Sequence, residues 1–186
     1  AKALLGKAVL PDDLPFVTGQ IGLLGTRASW DLMQGCDTLL MVGSSFPYSE
    51  FLPKEGAARG IQIDIDPRML SLRFPMEAPL VGDAALTLRA LLPRLRARSR
   101  DRWRDKIETT TATWWSDEEK RAHLEADPLN PELFFWQLSD RVPDDCLIAV
   151  DTGMSTTFFA RAVRVRRRMQ VAISGTLATM GPALSY

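Results

Sequence analysis

Short apolar runs alternate with helix-like segments along the first half of the chain. The runs at residues 38–42, 60–65 and 79–81 have the length and composition of β-strands, and each is followed by glycine or aspartate. Residues 26–35 and the segment that begins at Asp83 instead place apolar side chains at helical spacing, each behind a residue suited to cap a helix. This alternation is typical of βαβ units and predicts a Rossmann-like α/β domain with a parallel sheet.

The polarity of each run also predicts which of its faces is covered. Residues 38–42 are almost entirely apolar, as expected for a parallel strand with helices on both faces. In residues 60–65 the three isoleucines are predicted to share one face and the two polar residues the other: Ile61, Ile63, Ile65, Gln62 and Asp64.

The pattern changes after Pro93, where residues 94–128 predict a helical connector. Residues 94–104 carry an arginine at every second position, a spacing that distributes the side chains around a helix and does not gather them on one face. A solvated linker helix is therefore favoured over the alternative, a nucleic-acid-binding patch with steep salt dependence. Farther along, four residues predict an apolar face that packs on a neighbouring element: Trp103, Ile107, Trp114 and Trp115.

A second α/β pattern follows the connector. Asn130 is predicted to cap a helix whose first position is Pro131. The apolar runs at 146–150 and 169–173 predict two strands, and residues 155–163 between them predict a helix.

Composition narrows the classes of partner. The chain has 186 residues with 23 basic and 23 acidic side chains, so bulk charge does not favour a nucleic-acid partner. His123 is the only histidine and no Cys-X-X-Cys pair occurs, which argues against a zinc or multi-histidine site. Cys36 and Cys146 are expected to be free thiols in a reducing compartment. The opening residues have no signal-peptide pattern, and no apolar stretch approaches the roughly 18 residues that span a bilayer. We therefore expect a cytoplasmic protein that makes no membrane contact.

Glycines and polar residues cluster where the strands of the first domain are predicted to end. In a doubly wound sheet, ligands bind beyond the carboxyl ends of the strands. A helix N-terminus suits a phosphate, a glycine permits close backbone approach, and a strand-end aspartate accepts from ribose hydroxyls. The turns therefore predict a nucleotide-type ligand, although no Gly-X-Gly-X-X-Gly fingerprint occurs. The candidate residues are Gly22, Gly25, Thr26, Arg27, Gly43, Ser44, Ser45, Phe46, Pro47, Asp64, Ile65, Asp66, Gly82 and Asp83.

Longer stretches of the sequence resemble a known family. IGLLGT, LLMVGSSFPYSEFLP, IQIDIDPRMLSLRF and LVGDAALTLRALL occur in this order, followed after the connector by LIAVDTGMSTTFFARAV and AISGTLATMGPAL. The first four resemble the central domain of thiamine-diphosphate-dependent enzymes, in the group of pyruvate oxidase, acetolactate synthase and related 2-oxo acid decarboxylases. The last two resemble the start of that family's C-terminal, diphosphate-binding domain.

The resemblance implies a division of the chain and two cofactors. Residues 1–93 would be the central domain without its first βα unit, residues 94–128 the connector, and residues 129–186 the truncated start of the thiamine-diphosphate-binding domain. In flavin-containing members the central domain binds FAD, so the strand-end residues above would line the FAD. In the second domain, seven residues match positions near thiamine diphosphate: Gly153, Met154 and Ser155 near the phosphates, and Gly175, Thr176, Leu177 and Met180 under the aminopyrimidine.

The resemblance also implies what this chain does not supply. In the family, the glutamate that activates thiamine diphosphate comes from an N-terminal domain, and Mg²⁺ is bound by a Gly-Asp-Gly…Asn motif; neither matches residues of this chain. We therefore assign no catalytic and no metal-binding residue. Both ends of the chain lie within apolar segments, and we expect a fragment that is inactive by itself.

Two functional hypotheses remain at this point. The first is a fragment of a thiamine-diphosphate-dependent enzyme that decarboxylates a 2-oxo acid such as pyruvate, with oxidation or carboligation, in a homodimeric or homotetrameric parent protein. The second is a non-catalytic module that binds FAD or another nucleotide, or that packs within an oligomer.

Overall fold

The computed structural model describes residues 1–96 and 102–185. The chain forms two compact units. One consists of Ala1–Trp30 together with Arg102–Tyr186, and the other of Asp31–Asp101. We call them the split unit and the central unit.

The central unit is built on a three-stranded parallel sheet. Helix α1 (Arg27–Gln34) leads into β1 (Thr38–Val42), and β2 (Arg59–Asp64) and β3 (Ala78–Val81) follow in the order β1-β2-β3. Helix α2 (Ala84–Leu91) comes next along the chain. The predicted strands, helices and parallel pairing are thus confirmed, and the fold is α/β.

The prediction that both faces of β1 are covered is wrong for this unit. Leu39 and Met41 are buried, but Thr38 and Leu40 on the opposite face are exposed. On β2, both Ile63 and Gln62 are buried although they point to opposite faces. The sheet is therefore covered on both faces only along its central strand, since β1 is an edge strand among the described residues. Ile65 lies beyond the end of β2 and is 73% exposed.

The connector is a long helix with an unexpectedly polar buried face. Helix α3 spans Arg102–Ala122, and its buried residues are Thr111, Trp114, Glu118 and Ala122. The predicted apolar face is wrong in part, because Trp103 is 38% exposed. Burial follows the helical spacing from Thr111 to Ala122, and this places the carboxylate of Glu118 on the buried face of the helix. Two of the six alternating arginines, Arg98 and Arg100, fall outside the described residues.

The remainder of the split unit carries a second parallel sheet. Helix α4 (Pro131–Arg141) precedes β4 (Leu147–Val150), and helix α5 (Met154–Ala162) connects it to its parallel neighbour β5 (Gln170–Ile173). Residues of β4, α5 and β5 form a common core, against which Leu4 of the N-terminal segment packs. The buried members are Val150, Phe159, Val163 and Ile173. Parallel strands and one crossover helix thus place two turns at the same edge of this sheet.

Charged groups are buried in the split unit as well. The side chains of Lys2, Lys7 and Asp12 are almost completely buried, and each lysine forms an ion pair with Asp12. Asp12 also accepts a hydrogen bond from the backbone N–H of Val165, so this cluster fastens the N-terminal segment to the end of α5.

No helix within residues 1–96 and 102–185 is both long enough and apolar enough to cross a membrane.

Candidate cofactor-binding sites

The carboxyl ends of β4 and β5 lie side by side, because the two strands are parallel and Val150 pairs with Ile173. The turn after β4 comprises residues 151–153 and leads into α5, whereas residues 174–181 follow β5. Ligands of parallel α/β sheets bind beyond this edge. These two turns, which we call the β4 turn and the β5 turn, form the first candidate site.

Hydrogen bonds join the two turns to each other. Oδ1 of Asp151 accepts from the backbone N–H of Gly181 at 2.8 Å. The hydroxyl of Thr152 donates to the carbonyl oxygen of Thr179 at 2.7 Å. The β4 turn and the β5 turn therefore form one continuous surface, although these partners are about thirty residues apart in sequence.

Gly153 gives the β4 turn a backbone conformation that other residues avoid. Its φ of 126° and ψ of −159° lie in a region that is essentially restricted to glycine. A Cβ built there would meet no atom within 4 Å, so open space lies in front of this backbone. Helix α5 begins immediately afterwards, and its first turn has no acidic side chain. Unpaired N–H groups and the positive end of the helix dipole suit a phosphate at this point.

The other two residues predicted near the phosphates differ in role. The hydroxyl of Ser155 donates to the carbonyl oxygen of Asp151 at 3.1 Å, so it is committed to the turn. Met154 is 65% exposed and remains accessible to a ligand.

The residues predicted under the aminopyrimidine lie on the β5 turn. Leu177 and Met180 are each 84% exposed, and Thr176 is exposed as well. Gly175 differs, because a Cβ there would lie 2.6 Å from Cδ2 of Leu5. The contact with Leu5 therefore leaves little space for a side chain at position 175. The exposed apolar side chains of Leu177 and Met180 offer a surface on which the aminopyrimidine ring could lie.

The carboxyl ends of β1, β2 and β3 form the second candidate site, within the central unit. The backbone N–H of Gly43 donates to the carbonyl oxygen of Ile63, and that of Gly82 donates to the carbonyl oxygen of Asp64. Gly43 has a φ of 58° and no atom within 4 Å of its Cβ position. The structure thus brings the predicted turns at 43–47, 64–66 and 82–83 to one edge, with an open approach at Gly43.

The two aspartates after β2 have different roles. Asp64 is buried, and its Oδ1 accepts from the backbone N–H of Asp66, while Oδ2 accepts no hydrogen bond from the described residues. Asp66 instead pairs with the guanidinium of Arg68, whose Nη2 lies 2.6 Å from Oδ2. Hydrogen bonds from the Arg68 side chain lower the pKa of Asp66 to about 2. Asp64 is therefore the better candidate to accept a hydrogen bond from a ribose hydroxyl.

Gln62 organises this edge, although no motif in the sequence indicates a functional role for it. Its Nε2 donates to the carbonyl oxygens of Ser44 at 3.2 Å and Met69 at 3.1 Å. Its Oε1 accepts from the backbone N–H of Ser71 at 2.9 Å. One buried amide thus joins the turn after β1 to the segment after β2, a link that depends on which strands are neighbours.

The aromatic residues after β1 are packed on one another. Phe46 is 8% exposed and meets Tyr48 edge-on, with 5.6 Å between ring centroids. Pro47 and Tyr48 are exposed and Ser45 is partly buried. Phe46 is therefore mainly a core residue, and Pro47 presents the accessible apolar surface.

Asp83 begins α2 as predicted. Its Oδ1 accepts from the backbone N–H of Leu86 at 2.8 Å, as an N-cap does. Gly82 is tightly packed, since a Cβ there would lie 2.9 Å from Oγ1 of Thr87.

The remaining candidates, Gly22, Gly25, Thr26 and Arg27, belong to the split unit. The hydroxyl of Thr26 donates to the carbonyl oxygen of Thr18 at 2.6 Å and accepts from the backbone N–H of Ser29, so it caps α1 and is buried. A Cβ on Gly25 would lie 2.4 Å from the carbonyl oxygen of Gln20. Both residues thus have structural roles in this turn.

Within residues 1–96 and 102–185, no three His, Cys, Asp or Glu side chains are grouped to bind a metal ion.

Comparison with known proteins identifies the family. Residues 1–91 match the family described as the thiamine pyrophosphate enzyme central domain. The chain belongs to the thiamine pyrophosphate enzyme family. Thiamine pyrophosphate and thiamine diphosphate are two names for one cofactor, so the resemblance drawn from the sequence motifs is confirmed.

Relatives of this thiamine pyrophosphate family chain match it beyond the central domain. The putative thiamine pyrophosphate-containing protein YdaP of Bacillus subtilis (strain 168) is 35% identical over 97% of the chain and 31% of its own length. The acetolactate synthase isozyme 2 large subunit of Escherichia coli (strain K12) is 30% identical over 96% of the chain and 32% of its length. A probable acetolactate synthase large subunit of Methanocaldococcus jannaschii is 27% identical over 96% of the chain and 32% of its length. The chain thus spans about a third of the length of these relatives.

Asp151 and Thr152 are the residues that sequence reasoning overlooked at the first site. Asp151 directly follows a strand, as Asp64 and Asp66 do, and the same strand-end argument would have selected it. The contact with Gly181 is visible only once β4 and β5 are known to be neighbours.

Proposed function

We propose that the chain provides cofactor-binding surfaces of a thiamine-diphosphate-dependent enzyme that acts on a 2-oxo acid such as pyruvate. The joined β4 and β5 turns carry this proposal. They offer helix N–H groups and an open glycine backbone on one turn, and exposed apolar side chains on the other.

The residues fit the two ends of thiamine diphosphate. Gly153, Met154 and Ser155 would hold the diphosphate through backbone N–H groups at the start of α5. Gly175, Thr176, Leu177 and Met180 would lie against the aminopyrimidine and shield it from water. When bound, thiamine diphosphate supplies the electron sink for loss of CO₂ from a 2-oxo acid.

Catalytic and metal-binding groups are not assigned to these residues. The family resemblance places the activating glutamate and the Mg²⁺ motif in segments that do not match this chain. We therefore expect residues 1–186 by themselves to turn over no substrate, and the active parent protein to be a homodimer or homotetramer.

A second cofactor, FAD, is proposed for the central unit. Gly43 gives open access to the backbone, Pro47 presents an apolar surface, and Asp64 has an oxygen available to a ribose hydroxyl. Oxidation of the 2-oxo acid or carboligation of the acetolactate synthase type is compatible with this cofactor. The presence of FAD would not by itself choose between them.

The test for thiamine diphosphate is calorimetric titration of the purified parent protein with the cofactor in the presence of Mg²⁺, combined with an assay of CO₂ release from pyruvate. Wild type should bind the cofactor, and Gly153→Val should bind it at least about tenfold more weakly because the turn must change conformation. Gly56→Val is the matched control, since Gly56 also has positive φ and open space but lies in an exposed turn. A wild-type protein without affinity for thiamine diphosphate would overturn the proposal.

The test for FAD is the absorbance of the purified protein in the flavin band. Wild type should retain FAD or bind it when it is added, and Gly43→Val should lose it while Gly56→Val does not. A protein that stays colourless after FAD is added would contradict the assignment. Retention of FAD without any affinity for thiamine diphosphate would instead support the alternative, a non-catalytic nucleotide-binding module.

A further inference from the structure

Asp151 makes several contacts that all fix the arrangement of the β4 and β5 turns. Its Oδ1 accepts from the backbone N–H of Thr152 at 2.7 Å and from that of Gly181 at 2.8 Å. Its carbonyl oxygen accepts from the hydroxyls of Ser155 and Thr156. One residue thereby holds its own turn, the opposite turn and the first turn of α5.

The β5 turn has few other contacts that would hold it in place. Residues 175–181 are all exposed. Within the turn, the backbone N–H of Thr179 donates to the hydroxyl of Ser174. Across to the β4 turn, the contacts are Gly181 with Asp151 and Thr179 with Thr152. Exposed turns with few contacts open readily, so these two hydrogen bonds hold the part of the β5 turn from Thr179 to Gly181 against the β4 turn.

We propose that Asp151 is a positioning residue that holds the β4 and β5 turns at a fixed separation, so that thiamine diphosphate can contact both turns at once. This proposal rests on the proposed function. Asp151 acts on the ligand through Gly181 and Thr152, and it has no catalytic role. Among the described residues, only Oδ1 of the Asp151 carboxylate accepts hydrogen bonds, so the geometry needs an oxygen at this position and not a negative charge.

The chemistry of the contact makes the conservative substitution informative. The amide oxygen of asparagine accepts the same two N–H bonds, whereas alanine accepts neither. Asp151→Asn should therefore bind thiamine diphosphate within about threefold of wild type, and Asp151→Ala about tenfold to a hundredfold more weakly. Asp145→Ala is the matched control, because the Asp145 side chain is 66% exposed and paired only at 3.7 Å with Arg168.

The experiment titrates each protein with thiamine diphosphate and, separately, with inorganic pyrophosphate, both with Mg²⁺. Pyrophosphate needs only the β4 turn, whereas thiamine diphosphate needs both turns. The ratio of the two affinities should therefore fall about tenfold in Asp151→Ala and stay unchanged in Asp145→Ala. A general loss of folding would weaken both ligands equally and leave the ratio constant.

A milder variant covers the case in which Asp151→Ala does not fold. Thr152→Val removes the bond to Thr179 and leaves Asp151 in place, and it should lower the same ratio about threefold. An unchanged ratio in both variants, or an Asp151→Asn protein as weak as Asp151→Ala, would overturn the positioning role. A wild-type protein that binds no thiamine diphosphate would overturn the proposed function itself. This outcome is distinct from failure of the positioning role, which is measured only in the variants.

Discussion

Nζ of Lys7 lies 3.5 Å from Oδ2 of Asp12 in the interior of the split unit, where the two side chains are 2% and 3% exposed. The same Nζ donates to the carbonyl oxygen of Ala160 at 3.1 Å and lies 5.4 Å from the ring centroid of Phe159. Lys2 engages Oδ1 of Asp12 at 2.7 Å. One carboxylate therefore serves two buried ammonium groups, and the stability of this unit depends on their charge.

Lys7 should make stability increase with pH. Burial removes its ammonium from water and lowers its pKa from 10.5 to about 8. Between these pH values the unfolded chain binds more protons than the folded one, so the free energy of unfolding rises with pH in this window. In wild type the free energy of unfolding should rise by on the order of 2 kcal/mol across this pH window, and Lys7→Met should abolish this rise. Urea unfolding at several pH values measures the effect.

Lys54→Met is the control for this effect, because Lys54 is exposed. It should keep the wild-type pH dependence. The same pH dependence in Lys7→Met as in wild type would contradict the assignment.

Asp12 should be essential to the cluster. Asp12→Ala leaves two buried ammonium groups without a counterion and the backbone N–H of Val165 without its acceptor. We expect a loss of about 3–5 kcal/mol in the free energy of unfolding. Asp13→Ala, at the exposed neighbouring position, should change it by less than about 0.5 kcal/mol.

Urea unfolding measures the difference in the free energy of unfolding between Asp12→Ala and Asp13→Ala. Adding Lys7→Met to Asp12→Ala should recover part of the loss, because it removes one uncompensated charge. Equal stability of Asp12→Ala and Asp13→Ala would show that the ion pairs contribute nothing.

Gln62 should stabilise the edge of the central sheet. Gln62→Leu removes two donors and one acceptor and leaves the carbonyl oxygens of Ser44 and Met69 without this partner. We expect a loss of about 2–3 kcal/mol in the free energy of unfolding. Gln170→Leu is the matched control, because Gln170 is an exposed strand residue. Thermal unfolding that shows no difference between them would refute this role.

Asn130 should tolerate aspartate poorly, although aspartate is a good N-cap. Its Oδ1 accepts from the backbone N–H of Glu132 at the start of α4. Its Nδ2 donates to the carbonyl oxygens of Arg121, Ala122 and Leu124 at the end of α3. Asn130→Asp keeps the hydrogen bond from Glu132 but turns a negative charge towards the carbonyl groups at the end of α3. We therefore expect the free energy of unfolding to fall by about 1–2 kcal/mol.

Asp83→Asn provides the comparison at another helix start. Asp83 only accepts a hydrogen bond from Leu86, so asparagine should cap α2 nearly as well. Circular dichroism during thermal unfolding measures both substitutions. A protein with Asn130→Asp that is as stable as one with Asp83→Asn would contradict the dual role of Asn130.

Local patterns were enough to predict the elements and their caps. Asp83 and Asn130 cap α2 and α4 because capping depends on residues a few positions apart. The strands were predicted from short apolar runs, and their parallel pairing from the alternation with helices. The polar buried face of α3 was missed, because the face that a helix buries depends on the element packed against it, here α4.

In the candidate sites, too, some residue roles can be predicted from local sequence and others depend on tertiary contacts. Sequence motifs predict that Gly153 and Gly43 face a ligand, and no atom lies within 4 Å of either Cβ position in the structure. Sequence alone did not show that Thr26 is buried as a cap or that Gly175 packs against Leu5. These roles depend on contacts between segments that are distant along the chain.

By itself, the sequence determined the family, the α/β class and the turns at which ligands are expected, because periodicity, capping residues and short motifs are properties of neighbouring residues. Only the tertiary structure decided that Asp151 holds Gly181, that Gln62 joins two turns, and that Lys7 shares Asp12 with Lys2. Each of these contacts requires a particular strand neighbour or a particular buried surface, and hydrogen bonds and ion pairs become strong only where packing excludes water.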